Sequence, residues 1–270
     1  MSAAAAPDFA AIKTRQQATW SSGNYAVIGC TLQLMPELLC ESMDLRSGHR
    51  VLDVAAGNGV ATLAAARRWC QVTSTDYVPS LLEAGRARAE ADGLTVSFQE
   101  ADAENLPFAD NTFDAALSNV GVMFTPDQAR AAAELFRVIK PGGKIGLTCW
   151  TPAGFVGQMF KVIGKHVPPP AGVKSPLLWG TEDRLRELFP SAAKIETKKL
   201  NFVFRYLSPE HFVQIFRDFY GPVHRAFAAL DEAGKSTLNK DLLDLLNSLN
   251  QATDGTLVIP SEYLEIVITK

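Results

Sequence analysis

The sequence predicts an α/β fold: a mostly parallel sheet covered by helices on both faces. Three observations carry this. Short apolar, β-branched runs alternate with helix-length segments from Arg50 to Trp150. The first such run breaks at Gly57-Asn58-Gly59, which turns the chain from strand to helix. Prolines at 79 and 126 stand where first helical turns are expected.

Ile12 to Glu41 reads as helical, broken at Ser21-Ser22-Gly23-Asn24, with Pro36 near the start of a later helical stretch. Arg50 to Ala55 is a buried strand, and Val60 to Trp69 an Ala-rich helix. Gln71 to Asp76 is a β-branched strand, and a helix runs from Pro79 to about Asp92. Thr95 to Gln99 and Phe113 to Ser118 make strands three and four. A helix follows, with Thr125 as cap, Pro126 at N1 and Gln128 closing the box. It ends before a turn at Lys140-Pro141-Gly142-Gly143, and Lys144 to Trp150 is a fifth strand. Beyond Trp150 the rhythm changes. Thr181 to Phe189 reads as a short helix and Ile195 to Tyr206 as a long strand. Ser208-Pro209 starts another helix, Asp231 to Asn250 is helical, and Tyr263 to Thr269 is a final strand. The late strands are expected to complete the same sheet, giving one domain over 1–270 with lid inserts at 151–180 and 208–254.

Composition removes several function classes. Twenty-six Lys and Arg against 29 Asp and Glu give a net charge of -3, without the basic surface that nucleic acids require. Cys30, Cys40, Cys70 and Cys149 form no Cys-x-x-Cys pair, so no zinc ribbon or dithiol site is expected, and single cysteines suit a reducing cytoplasm. Met1 to Phe9 has no signal-peptide pattern and reads as a tail, and no apolar stretch is long enough to span a bilayer. Nothing in the sequence sets an oligomeric state.

Ligands of open α/β sheets bind beyond the C-terminal strand ends. The first such turn, Asp53 to Gly59, has glycines that let backbone approach a ligand. A dinucleotide fingerprint fails at its third glycine, which is Thr62. A ligand with a carboxylate and no pyrophosphate fits better. Asp76 ends the second strand, where it accepts ribose hydroxyls or caps the next helix. Tyr77 packs on an adenine face or in the core. Asp102 accepts from an adenine amino group or is a loop acid. Asn119, at the end of strand four, faces both ligand and acceptor.

Val51 to Gly59 resembles motif I of the class I S-adenosylmethionine methyltransferases. Asp76, the run Asp102 to Phe108 with Phe113-Asp114, and Arg137 to Gly143 resemble the family's later blocks. The nearest branch in appearance is that of the ubiquinone and menaquinone C-methylases. The resemblance covers about 45–150, and Ala55 departs from it where the family usually has Gly. It implies a Rossmann-like sheet of seven strands, the last pair including an antiparallel one, with 45–150 as cofactor-binding core. It implies that Asp53 and the backbone of Ala55, Gly57 and Gly59 hold the methionine end, that Asp76 holds the ribose, and that Asp102 and Ala103 bracket the adenine. Trp20 and Tyr25 close over the cofactor or pack in the core.

The expected reaction is methyl transfer from S-adenosylmethionine to a small acceptor. The aromatic lid, with Phe155 and Trp179 foremost, is expected to hold an apolar or aromatic one. His166, His211, His224, Tyr206 and Tyr220 all lie in the lid region, and none is singled out as a catalytic base. No metal is expected, because the turn after strand four carries Ser118-Asn119-Val120-Gly121 rather than carboxylates. Two other readings stand beside this one. One is an NAD(P)-dependent oxidoreductase. The other is a cofactor-binding protein, or a cyclase, on the same scaffold without methyl transfer.

Overall fold

A computed structural model describes residues 7–270. Most of the expected N-terminal tail lies outside the described residues, but its last residue, Phe9, begins a helix rather than ending a tail. That helix, α1 (Phe9–Trp20), starts at Asp8, whose carboxylate accepts from the Ala11 N–H. The turn at 21–24 is present. Asn24 then caps α2 (Tyr25–Gly29), and α3 (Leu34–Ser42) follows a short 3₁₀ turn.

Seven strands form one sheet: β1 (Arg50–Val54), β2 (Gln71–Asp76), β3 (Ser97–Glu100), β4 (Phe113–Asn119), β5 (Ile139–Trp150), β6 (Lys194–Tyr206) and β7 (Leu257–Thr269), in the order β3-β2-β1-β4-β5-β7-β6. The first five are parallel. β7 is antiparallel to both β5 and β6. The order reverses between β1 and β4, which puts the switch point, and the crevice it creates, beyond Val54 and Asn119.

Helices cover both faces, so the central strands are apolar on both sides. Val51 packs with Leu39 of α3 and with Ala61 and Ala65 of α4 (Val60–Ala66). Its neighbour Leu52 faces Leu135 of α6 (Gln128–Val138). α5 (Pro79–Ala91) lies beside β2 and β3, with Pro79 in its first turn as expected. After β5 come α7 (Phe155–His166), α8 (Glu182–Leu188), α9 (Pro209–Phe219), α10 (Gly221–Ala228) and α11 (Glu232–Leu249).

Two expectations change. α6 begins at Gln128 with Asp127 as its cap, not with Thr125 capping and Pro126 at N1. A 3₁₀ turn at Val122–Phe124 delays the helix, and Gln128 donates to Ser175 O instead of closing a box. The Lys140–Gly143 turn is an irregularity inside β5, where the register with β4 shifts, and Gly142 N and Gly143 O pair with Lys270.

β6 and β7 are longer than their neighbour. β5 ends at Trp150 opposite Tyr263, but Asn201–Tyr206 and Leu257–Glu262 continue past it. This extension rises above the C-terminal strand ends and makes a wall there.

Candidate functional site

The glycine loop after β1 is shaped by its neighbours. Gly57 and Gly59 take φ of 56° and 81°, the region that glycine enters without penalty. Gly57 N–H donates to Asp76 Oδ2 at 2.9 Å, and Ala56 N–H donates to Thr75 O at 2.9 Å. Ala55 has φ 52°, a left-handed conformation that costs a residue with a Cβ about 1–2 kcal/mol. The exchange of Gly for Ala at this position therefore carries backbone strain as well as an added methyl.

A second loop, after β4, meets the first. Ser118 Oγ donates to Val54 O at 2.7 Å and accepts from Val122 N–H at 2.9 Å. Val120 also has a left-handed φ, 54°, unusual for a β-branched residue. Gly121 is required for close approach, since a Cβ there would lie 2.2 Å from Ala55 O. Strained residues on both facing loops point to a site held in shape by the surrounding fold.

Between these loops and α1 lies a cavity of about 770 Å³, counted to its mouth. It brings together Trp20, Tyr25, Ala55, Gly57, Asp76, Tyr77, Asp102, Ala103 and Asn119 of the expected set. Asp53 and Gly59 are not in its wall. Asp53 is fully buried one layer behind; Thr62 Oγ1 donates to its Oδ2 at 2.6 Å, and its Oδ1 has no partner. Gly59 instead lets the loop pass close to Gly85 of α5. Thr62, which breaks the dinucleotide fingerprint, thus supports the acid of the same loop.

Asp76 is nearly buried. Its Oδ1 accepts from Val78 N–H at 2.9 Å while Oδ2 holds Gly57, so the carboxylate organises two loops and does not cap α5. Burial pushes its pKa up to about 6, against the pull of those backbone donors. Burial likewise lifts Asp53 to about 7. The Tyr25 and Tyr77 hydroxyls are held well above their ordinary pKa by burial and by the Asp76 carboxylate. Asn119 Oδ1 accepts from Thr148 Oγ1 at 2.7 Å, which leaves its buried Nδ2 without a partner beside the cavity.

Several wall residues were not singled out from sequence. Lys13 Nζ reaches Asp102 at 2.6 Å and Glu104 at 3.0 Å, tying α1 to the loop after β3. Gln17 Nε2 donates to Tyr77 O at 2.5 Å, a second tie. Lys13, Gln16 and Trp20 all line the cavity, and their spacing of three and four marks one helical face, a signal the sequence did contain. Phe124 and Gly121 carried no such signal.

Other expected groups lie elsewhere. His166 pairs with Asp241 at 2.9 Å, His211 accepts from Leu207 N–H, and His224 meets Arg217 O; none lines the cavity. Phe155 and Trp179 are core residues. Phe155 packs on Phe204 and Phe212, and Trp179 on Phe189. Neither lines this cavity or the apolar one adjoining it. Among the described residues no cluster of His, Cys, Asp or Glu could hold a metal ion, and no helix is long and apolar enough to cross a membrane.

Residues 52–147 match the family described as Methyltransferase domain. An uncharacterized protein of Mycobacterium tuberculosis is 39% identical over 258 residues, covering 93% of this chain and 92% of its own. The demethylmenaquinone methyltransferase of Deinococcus radiodurans is 37% identical over 130 residues, 47% of this chain and 54% of its own. The chain belongs to the class I methyltransferases. Its likeness to the demethylmenaquinone methyltransferases spans about half of either chain. The YcgJ protein of Bacillus subtilis has the same fold at 20% identity, with a TM-score of 0.60 over 87% of this chain and 97% of its own. In this methyltransferase the matched segment runs from β1 into β5. It omits α1 and α2, which supply Lys13, Gln16, Trp20 and Tyr25 to the cavity wall.

Proposed function

We propose that the cavity at the switch point binds S-adenosylmethionine and that the protein transfers its methyl group to a small apolar or aromatic acceptor. The observation that carries this is the cavity itself: small backbone at Ala55 and Gly57, carboxylates at Asp76 and Asp102, and an unpartnered amide at Asn119, all in one wall system. These residues fit the cofactor. The glycine loop can pass close to the methionine end, with Asp53 supporting it from behind. Asp76 keeps lone pairs free for two ribose hydroxyls even while it holds Gly57 and Val78. Asp102 can accept from the adenine amino group, with Lys13 fixing the carboxylate and Ala103 flanking the ring. The Asn119 amide is a donor for a carboxylate or for an acceptor oxygen.

When bound, S-adenosylmethionine supplies a methyl group already activated as a sulfonium. The chain's part is then alignment and exclusion of water. Trp20, Tyr25 and Phe124 close one side of the cavity with aromatic surface, with Trp20 and Phe124 ring centroids 4.9 Å apart. No histidine stands there, so no base is assigned. The elements at 151–180 and 208–254 act as inserts of the same domain, and they complete the acceptor side.

Purified protein incubated with S-adenosylmethionine and a panel of phenols, quinols and amines tests this by release of S-adenosylhomocysteine. Release with at least one acceptor is expected. Binding of S-adenosylhomocysteine with no turnover on any class would instead favour a cofactor-binding protein on this scaffold.

A further inference from the structure

A second, smaller hollow, about 360 Å³ with its open mouth counted, adjoins the first. The two share Trp20, Tyr25, Val120 and Phe124, which form a neck between them. Beyond the neck the walls are Leu32, Trp150, Val156, Met159, Phe204 and Phe216, contributed by segments far apart in the chain, and no charged side chain is among its lining residues. The extended end of β6 supplies Phe204, and α7 supplies Val156 and Met159. Apolar walls of this kind favour contact with apolar surface over water.

Polar groups occur at its mouth. Tyr220 lies between α9 and α10, and its ring centroid is 5.8 Å from Trp20 and 6.4 Å from Tyr25. Among the described residues the hydroxyls of Tyr25 and Tyr220 make no hydrogen bond to the chain, yet neither is sealed off, as the Tyr206 hydroxyl is. Val120, whose left-handed backbone is unusual, lines both cavities at this point. The neck adjoins Asn119 at the end of β4, on the cofactor side.

We infer that the second cavity is the acceptor chamber, that it takes an uncharged molecule with an apolar body and one hydroxyl-bearing head, and that Tyr220 positions that head at the neck. This rests on the methyltransferase reading above. Charged amines and carboxylates are excluded because the chamber offers them no counter-charge, and burial of an unpaired ion is costly. Tyr25 and Tyr220 each offer a donor and an acceptor, which suits a hydroxyl.

Calorimetric titration with 1-naphthol, naphthalene, 1-naphthoate and 1-naphthylmethylammonium, with and without S-adenosylhomocysteine, tests the chamber. The wild type is expected to bind 1-naphthol, and the two charged probes at least about tenfold more weakly. Met159→Trp fills the chamber and is expected to abolish 1-naphthol binding, with S-adenosylhomocysteine affinity within about twofold of wild type. Val156→Phe serves if that variant does not fold. Tyr220→Phe keeps the ring and is expected to remove the preference for 1-naphthol over naphthalene, a loss of about three- to tenfold. A purely structural tyrosine would weaken both probes alike. Equal binding of the charged probes, or unchanged 1-naphthol affinity in a folded chamber-filling variant, would overturn the proposal. Failure of S-adenosylhomocysteine to bind would count against the cofactor reading alone, since the naphthalene probes judge the chamber without it.

Discussion

The two halves of the binding region are built in opposite ways. The proposed cofactor half is polar, local and strained. Its groups come from three consecutive strand ends, β1, β2 and β4, and from the loop after β3, fixed by short hydrogen bonds such as Gly57 to Asp76 and Ser118 to Val54. The proposed acceptor half is apolar and assembled from distant segments: α1, α2, the end of β5, α7, β6 and the α9–α10 corner. In the first, a single side chain fixes a loop. In the second, shape comes from many packed side chains contributed by separate segments. The lesson is that aromatic residues of the same region divide between wall and core, and only the packing tells them apart.

That division gives the largest expected effect. Phe155 and Trp179 are almost wholly buried, so Phe155→Ala or Trp179→Ala is expected to destabilise the fold by about 3–5 kcal/mol. Chemical denaturation reads this directly. A selective loss of acceptor binding at unchanged stability would return both residues to the acceptor wall.

Asp76 comes next. Asp76→Ala removes the acceptor for two backbone N–H groups and for the proposed ribose hydroxyls. It is expected to cost about 1.5–3 kcal/mol of S-adenosylhomocysteine affinity and to lower stability as well. Asp76→Asn, which keeps one acceptor oxygen, is expected to fall between. Calorimetry paired with thermal unfolding separates the two losses.

Within the proposed cofactor half, stability and cofactor affinity are expected to respond to pH in opposite ways. Burial raises Asp76 to about 6 and Asp53 to about 7, above the ordinary value of 3.8. A carboxyl with a raised folded pKa binds its proton more tightly in the folded chain. Its contribution is full below about pH 4 and is lost as pH rises through the folded value. Wild type is therefore expected to lose stability relative to Asp53→Asn between pH 5 and pH 8, as read by denaturant titration. Cofactor affinity is expected to rise over the lower part of that window, as Asp76 ionises and becomes a stronger acceptor. A flat difference between wild type and Asp53→Asn would show that Asp53 is already ionised at pH 5.

The smallest effect is at Ala55. Glycine tolerates φ 52° without strain but loses more entropy on folding, so Ala55→Gly is expected to stabilise the fold by only about 0.5–1 kcal/mol. A destabilised Ala55→Gly protein would mean that the methyl packs usefully against the loop after β4.

Much of the cofactor half was legible in the sequence because its signals are local. Asp76 ends a β-branched run, and Asn119 ends a strand with the apolar run Ala115-Ala116-Leu117, so their strand-end positions follow from the runs themselves. Asp53 and Gly59 show the limit of that reading. Both belong to the loop, but they support it from outside the cavity, and only side-chain packing against Thr62 and Gly85 reveals this. Phe124 was not legible as a wall residue, and Tyr220 was expected only within the lid region as a whole. Their places depend on how a helix corner and a 3₁₀ turn meet the sheet, which no periodicity encodes. The start of α6 was misplaced for a related reason, because Thr125-Pro126 has every local mark of a cap while the tertiary loop prefers Asp127.

The central claim is that the switch-point cavity takes S-adenosylmethionine and not a dinucleotide. Calorimetric titration of the wild-type chain with S-adenosylhomocysteine and, in parallel, with NADPH tests it most directly. Saturable one-to-one binding of S-adenosylhomocysteine with no heat from NADPH is the result expected from the glycine loop, Asp76 and Asp102. Saturable NADPH binding with no response to S-adenosylhomocysteine would contradict it.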